Sequence, residues 1–126
     1  MKRLSLALLA LLFLSSAASA QMKVHFINVG QAESILLEFQ TAAVLIDAGG
    51  EDTFDNDDRR RDLFRYLDDF FERRADLREK AGQKRGIIHS LIVSHPHLDH
   101  TKHLTAVMGR YWVRNLVDNG ARRAAG

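Results

Sequence analysis

The chain contains no cysteine and only one proline. Without cysteine no disulfide can stabilise the fold, so stability must come from a packed core. The scarcity of proline, together with eight glycines and a hydrophobic fraction of 46%, excludes disordered and collagen-like chains. At 126 residues the chain suits one domain and is too short for two.

The first residues follow the pattern of a secretory signal peptide rather than that of a folded domain. Lys2 and Arg3 form a short basic region, residues 4–14 are apolar apart from one serine, and residues 18–20 are Ala-Ser-Ala, a cleavage signal. The apolar run is too short to span a membrane, which takes about 20 residues. A retained N-terminal anchor is the alternative, but a lipoprotein anchor is excluded because no cysteine follows the run.

We therefore predict a signal peptide at residues 1–20, cleaved after Ala20, and a mature domain at residues 21–126. The mature chain would have no stable membrane anchor and would act in the periplasm or outside the cell. Loss of Lys2 and Arg3 reduces the 18 basic residues to 16, which equals the 16 acidic ones. A chain near neutrality offers no basic surface, so its charge does not support nucleic acid as a partner.

Apolar and β-branched runs predict five strands. The first run ends at Gly30, and the third ends at Asp47. The short link Gln40-Thr41 between the second and third runs predicts a hairpin. The predicted strands are residues 24–29, 34–39, 42–46, 87–93 and 111–117.

One long helix is predicted between the third and fourth strands, from about Arg59 to Lys80. Its apolar residues recur at spacings of three and four, and the basic residues that follow it suit the helix dipole. Gly82 is the predicted stop. The acidic residues 51–58 are predicted to form a loop, and residues 104–108 allow a short helix.

Four metal-capable side chains lie within six residues: His95, His97, Asp99 and His100. Imidazole and carboxylate are the ligands that zinc prefers when thiolates are absent. In an extended segment the side chains at positions i and i+2 lie on the same side, so His95 and His97 can reach one ion together. Pro96 favours this geometry because the residue before a proline is pushed towards extended backbone. A turn after Leu98 would aim Asp99 and His100 at a second metal position nearby.

The alternative is a histidine-rich surface turn with no role, since the chain has six histidines. Four ligand-type residues in this order, directly after a strand apolar enough to be buried, favour a metal site instead. The strand would also give the segment a rigid base.

The motif His95-x-His97-x-Asp99-His100 resembles the signature of the metallo-β-lactamase superfamily. Residues 26–34 (FINVGQAES) and 45–49 (LIDAG) resemble the opening strands of the branch that includes the hydrolase domain of ComEC-type DNA-uptake proteins. The resemblance covers about residues 24–100. It implies an α+β fold, the αββα sandwich with two metal ions at one edge, of which this chain would form the N-terminal half.

The resemblance also implies roles for individual side chains. His95 and His97 would hold the first metal ion, and Asp99 and His100 would hold the second. Asp99 would in addition act in catalysis by orienting the attacking hydroxide. We expect both divalent ions to be zinc.

Asp47 matches the family's aspartate at the end of an early strand. It would lie behind the metal and orient a ligand histidine, which fixes the tautomer and the basicity of that histidine. The alternative is an Asx turn with Gly49. We favour the role behind the metal because Asp47 ends a strand directly before two glycines.

The chain departs from the branch in three loops. Asn28 occupies a position where Asp is usual, Ala32-Glu33 occupy positions where Gly-Asp is usual, and Thr101 occupies a position where Gly is usual. These loops lie near the mouth of the site, so the departures bear on substrate choice more than on metal binding.

Of the other histidines, His103 is expected on a helix surface, and the alternative is that it is a spare metal ligand. His25 and His89 are expected to be hydrogen-bonded structural residues within strands. The family completes its site with a later histidine, a bridging carboxylate and a last histidine, and no histidine follows His103. We therefore expect the remaining ligands beyond Gly126, and we expect this chain to be a fragment that is inactive alone. The alternative is a naturally short, inactive protein.

These features predict a metal-dependent hydrolase in which a hydroxide activated by two metal ions attacks a small-molecule, phosphodiester or ester substrate. Resemblance to the ComEC-type branch favours phosphodiesters. The alternative is a non-catalytic exported protein that binds a metal or a partner on the same scaffold.

Overall fold

The structure, a computed structural model, describes residues 21–50, 58–78 and 85–120. The predicted signal peptide, most of the predicted acidic loop and the predicted helix stop at Gly82 lie outside these residues. The elements and contacts given below are those of the described ranges.

Three antiparallel strands open the fold: β1 (Lys23–Phe26), β2 (Ile35–Glu38) and β3 (Ala43–Ile46). The amide of Phe39 donates to the carbonyl of Ala42 at 2.8 Å and closes the turn between β2 and β3. The predicted hairpin is therefore confirmed. Its register aligns alternate apolar side chains of the two strands on the same face of the sheet.

The predicted fourth and fifth strands are each broken in two: β4 (Ile87–Ile88) and β5 (Ser90–Ile92), then β6 (Trp112–Val113) and β7 (Leu116–Val117). The five-stranded sheet has the order β1-β2-β3-β5-β7, in which β5 is parallel to both β3 and β7. β4 and β6 form a separate parallel pair.

The break in each strand lies where His89 faces Asn115. The side-chain amide of Asn115 donates to the carbonyl of His89 at 2.8 Å, and the amide of Ala43 donates to Nδ1 of His89 at 3.3 Å. At this point two backbone groups bond to side chains instead of to the backbone of the neighbouring strand. The apolar pattern of the sequence does not reveal such side-chain bonds.

The helices are α1 (Asp58–Arg73), α2 (Leu98–Thr101) and α3 (Leu104–Arg110), and a 3₁₀ turn covers Ala75–Leu77. The prediction that α1 continues to Lys80 is wrong, because the helix ends at Arg73. None of the helices in the described ranges combines the length and apolar character that a membrane crossing requires.

Arg74 explains why α1 ends early. Its backbone leaves helical geometry, with φ −106° and ψ 61°. Its guanidinium then donates to Glu38 at 2.7 Å and to the carbonyls of Phe39 and Gln40 at 3.1 and 2.7 Å. These three hydrogen bonds to the β2–β3 hairpin hold Arg74 in a non-helical conformation, although the apolar residues beyond it continue at helical spacing.

The core lies between one face of the sheet and the two longer helices. Leu36, Leu45 and Leu91 are paired across β2, β3 and β5, and all three are fully buried. The apolar face of α1 packs in the same core as these three leucines. Burial of each large apolar side chain contributes about 1.5–3 kcal/mol to the stability of the fold. The buried residues from the helices and the segment after α3 are Leu63, Leu67, Phe70, Phe71, Val107 and Tyr111.

The opposite face of the sheet is also apolar. Phe26, Val24 and Val117 remain exposed there to 78%, 43% and 47%. Their neighbours in register, Ile46 and Ile92, are half-buried. The sheet therefore has one face in the core and one face that stays partly open among the described residues.

A partly buried carboxylate joins α1 to α3. Asp68 accepts hydrogen bonds from Arg110 and from the hydroxyl of Tyr111, the latter at 2.8 Å, and Arg85 contacts it at 2.7 Å. Burial alone would raise the pKa of Asp68, but the hydrogen bonds from Arg110 and Tyr111 outweigh it and hold the pKa below the ordinary value of 3.8.

Gly49 lies where three loops approach one another most closely. Its amide donates to the carbonyl of Glu33 at 3.0 Å, and the amide of Glu33 donates to the carbonyl of Asp99 at 3.2 Å. A Cβ atom on Gly49 would overlap the carbonyl oxygens of both residues. Only glycine lets the β1–β2 loop, the end of β3 and helix α2 meet here.

We expect Asp68→Asn to lower the free energy of unfolding by about 1–3 kcal/mol at pH 7, because it leaves Arg110 and Tyr111 without a charged partner. Since the folded pKa of Asp68 is depressed, its stabilisation is present above pH 4 and is lost as the pH falls through the folded pKa. Urea unfolding of both proteins from pH 7 to pH 3 measures this. Asp69→Asn, at an exposed position on the same helix, is the control, and an equal loss in both variants would contradict the prediction.

We expect Gly49→Ala to lower the free energy of unfolding by about 1–3 kcal/mol, since backbone atoms must move apart to admit the methyl group. Gly109→Ala is the matched control, because a Cβ there meets nothing within 4 Å. That control lies inside α3 and should gain up to about 1 kcal/mol. Equal urea midpoints for the two variants would show that the loops do not need glycine at position 49.

Candidate metal centre

The cluster of ligand-type residues lies at the carboxyl-terminal ends of β3 and β5. These strands are parallel neighbours, so their ends meet at the same edge of the sheet. Asp47 directly follows β3, and Ser94 lies in the segment after β5 that leads into α2. Residues almost fifty positions apart in sequence are thereby brought together.

Asp47 is the buried member of the cluster, with 1% of its surface exposed. Its backbone adopts φ 58°, the left-handed region that side-chain-bearing residues seldom occupy and that Asp tolerates better than most. The amide of Asp47 donates to the carbonyl of Ile92 at 2.8 Å, which ties this turn to β5. The turn directs the carboxylate of Asp47 towards the segment after β5.

Three hydrogen bonds converge on the Asp47 carboxylate. The amide and the hydroxyl of Ser94 donate at 2.8 and 2.7 Å, and Nδ1 of His100 donates at 2.7 Å. The amide of Gly49 is bonded to Glu33 instead, so no Asx turn forms with Gly49. Burial favours the neutral carboxyl, but the bonds from Ser94 and His100 prevail and hold the pKa of Asp47 below its usual value.

His100 presents its two nitrogens to different groups. Because Nδ1 donates to Asp47, the lone pair of the neutral imidazole is on Nε2, which lies 3.4 Å from a carboxylate oxygen of Asp99. Burial lowers the pKa of His100, but the hydrogen bond to Asp47 and the charges of Asp47, Asp99 and Glu33 raise it more. A metal-ligating histidine is usually held in this way by a carboxylate on its far nitrogen.

His95, Asp99 and His100 form a group of three donors. One ligand atom from each lies within 4.8 Å of the others, and the ring centroids of His95 and His100 are 3.8 Å apart. Ligands held at about 2.0–2.2 Å from a tetrahedral zinc ion are about 3.3–3.6 Å from one another, so small side-chain rotations would suffice to close the group. Two imidazoles and a carboxylate are therefore a donor set that fits zinc.

A second group of three donors consists of Glu33, Asp47 and His100. Glu33 is half-exposed, and its carboxylate lies 3.9 Å from Nδ1 of His100. An ion here would have to displace the hydrogen bond between Nδ1 and Asp47. The first group needs no such exchange, and it is the better cation site of the two.

His97 lies beside the first group rather than within it. Its ring centroid is 4.7 Å from that of His95, and its side chain is exposed. Neither group of three donors includes His97. The pairing of His95 with His97 on one ion, and of Asp99 with His100 on another, stays a prediction.

The prediction for His103 is wrong, because the residue is 5% exposed rather than on a helix surface. Its ring lies against Gly50, where any Cβ atom would overlap it, and edge-on to Phe64 at 6.1 Å. The missing side chain of Gly50 makes room for the ring, and a helical pattern cannot reveal such a space.

His25 and His89 are hydrogen-bonded, as predicted, but only His25 lies within a strand, because His89 occupies the break between β4 and β5. His25 is hydrogen-bonded to the hydroxyl of Tyr66 at 2.7 Å and to Glu38 at 3.0 Å. His89 accepts from the amide of Ala43 at 3.3 Å. Ser94 was not identified from the sequence as a site residue, and its only signal there is its place directly before His95. Glu33 was predicted to lie near the mouth of the site but not to approach His100.

Comparison with known proteins adds one finding on family. A search of curated proteins found no significant match. The family model described as "Metallo-beta-lactamase superfamily" matches residues 27–125, a range that contains both Asp47 and the His95–His100 motif. Because this match covers most of the chain, the protein belongs to the metallo-beta-lactamase superfamily.

Proposed function

We propose that this protein is an exported hydrolase that uses two divalent ions, most suitably zinc, to cleave phosphodiester or ester substrates. Membership of the metallo-beta-lactamase superfamily implies metal-dependent hydrolysis without specifying the substrate. The observation that carries the proposal is the hydrogen bond from Nδ1 of His100 to buried Asp47, which turns Nε2 towards Asp99.

The donors suit the ions that this chemistry needs. His95, Asp99 and His100 supply nitrogen and oxygen ligands without a thiolate, and His97 lies close enough to His95 to join them. Bound divalent ions of this kind lower the pKa of a coordinated water and stabilise negative charge on the attacked group.

Asp99 is the described residue best placed to orient the attacking water. Its side chain is 53% exposed, so its carboxylate oxygens stay accessible, yet one of them lies 3.4 Å from Nε2 of His100. A carboxylate in this place can accept a hydrogen bond from the water and orient it for attack. Asp47 cannot do this, because its oxygens are buried and already bonded to Ser94 and His100.

The preference for phosphodiesters is supported by sequence resemblance to the ComEC-type branch in residues 26–34 and 45–49. The structure supports the relevance of both segments to the site. The first leads to Glu33, near His100, and the second ends with Asp47 and Gly49. Export is supported by the signal-peptide pattern of residues 1–20, and processing after Ala20 would place the enzyme in the periplasm or outside the cell.

We expect the chain to bind zinc and His100→Ala to weaken that binding by at least about 100-fold, since the variant loses both a ligand and the partner of Asp47. Competition with a chromophoric chelator measures the affinity. His89→Asn is the matched control, because His89 lies at the opposite end of β5 and Asn retains an acceptor near the position of Nδ1. If the folded wild-type chain binds no zinc, the proposed metal centre is wrong.

We expect the zinc-loaded full-length protein to hydrolyse bis(p-nitrophenyl) phosphate. Asp99→Asn should lower kcat by about 100-fold or more at saturating zinc, because the amide orients water poorly and accepts no proton. Asp69→Asn, the same change on the exposed face of α1, should leave kcat unchanged. Zinc binding with no hydrolysis of phosphodiesters or esters would instead indicate a non-catalytic metal-binding protein.

A further inference from the structure

Ser94 lies between Asp47 and both histidines of the three-donor group. Its hydroxyl oxygen is 2.7 Å from Oδ2 of Asp47, 3.0 Å from Nδ1 of His95 and 3.3 Å from Nδ1 of His100. Its amide separately donates to Oδ1 of Asp47 at 2.8 Å. One small side chain therefore meets a buried carboxylate and two imidazoles.

Counting protons fixes the direction of these bonds. A serine hydroxyl has one proton and two lone pairs, whereas an ionised carboxylate can only accept. The hydroxyl proton of Ser94 therefore goes to Asp47, which leaves the oxygen of Ser94 able to accept and not to donate. Nδ1 of His95 must then carry a proton, which in the neutral imidazole leaves the lone pair on Nε2.

This tautomer is the one that the metal centre needs. A neutral imidazole offers a metal only the nitrogen without a proton, and the other nitrogen is usually held by a hydrogen bond from its N–H group. Asp47 does this directly for His100. For His95 the carboxylate of Asp47 acts indirectly, because the hydroxyl of Ser94 lies between them. The oxygen of Ser94 becomes a better hydrogen-bond acceptor when its proton is donated to a carboxylate.

We propose that Ser94 is a positioning residue that transmits the charge of Asp47 to His95 and fixes the Nδ1–H tautomer of that histidine. Asp47, Ser94 and His95 then form a relay beside the direct bond from Asp47 to His100, so one buried carboxylate orients both imidazoles. The consequence for zinc affinity rests on the proposed metal centre, whereas the tautomer is a property of the metal-free chain.

Ser94→Ala tests the relay because it removes the hydroxyl and keeps the backbone amide that donates to Asp47. Nitrogen-15 NMR of the histidine rings at about pH 8, where a free imidazole is neutral, reports the tautomer. We expect His95 to be protonated mainly on Nδ1 in the metal-free wild-type chain and to shift towards Nε2–H in Ser94→Ala. His100 should keep its Nδ1–H form in both proteins, since its bond to Asp47 is direct.

Two further variants separate the relay from a general effect on folding. Ser94→Thr keeps the hydroxyl and should restore the wild-type tautomer. Ser90→Ala makes the same substitution at the other end of β5 and should change neither tautomer. Chelator competition should show zinc binding about tenfold weaker in Ser94→Ala only, the lower end of the loss expected for a partner that holds a ligand.

The outcomes distinguish the two proposals. An unchanged His95 tautomer in folded Ser94→Ala overturns the relay whether or not zinc binds. A shifted tautomer that Thr restores supports the relay even if the wild-type chain binds no zinc, a result that would overturn the proposed metal centre alone. Equal shifts in Ser94→Ala and Ser94→Thr would also overturn the relay, because they would trace the effect to packing rather than to the hydroxyl.

Discussion

The site depends on one buried carboxylate. Asp47 directly follows β3, yet its carboxylate accepts hydrogen bonds from Ser94, two residues after β5, and from His100 in α2. Backbone hydrogen bonds such as that from the amide of Asp47 to the carbonyl of Ile92 also join the two strand ends, but the carboxylate is the group that meets the side chains of Ser94 and His100. The same residue therefore links the backbone and orients an imidazole of the candidate site.

A buried charge of this kind is costly by itself. An aspartate in an apolar environment would take up a proton, and a left-handed backbone adds strain of order 1 kcal/mol. Three donated hydrogen bonds offset both costs, and the depressed pKa of Asp47 shows which effect prevails. Loop packing completes the arrangement, since Gly49 lets the β1–β2 loop bond to α2 directly through Glu33 and Asp99.

Local sequence was enough to predict the elements that carry the site. Alternation and β-branched residues gave the first three strands, and the spacing of apolar residues gave the buried stripe of α1. The four ligand-type residues after β5 were visible because they are adjacent in sequence. Resemblance to a known family then predicted the superfamily to which the chain belongs.

What the sequence could not reveal depends on contacts between distant residues. Arg74 ends α1 through bonds to a hairpin that lies about 35 residues earlier, and His103 is buried only because Gly50 leaves a space for its ring. Ser94 is separated from Asp47 by 47 positions, so its part in the site becomes apparent only when β3 and β5 are side by side. The periodicity of apolar residues within one segment does not predict such contacts between distant segments.

The backbone at Asp47 also limits how this site can change over evolutionary time. Its φ of 58° suits Gly, Asn and Asp and strains other residues, but of these three only Asp has a negative charge. Glutamate would keep the charge at the expense of backbone strain and a longer reach. Any substitution of this aspartate therefore gives up either the local backbone geometry or the negative charge.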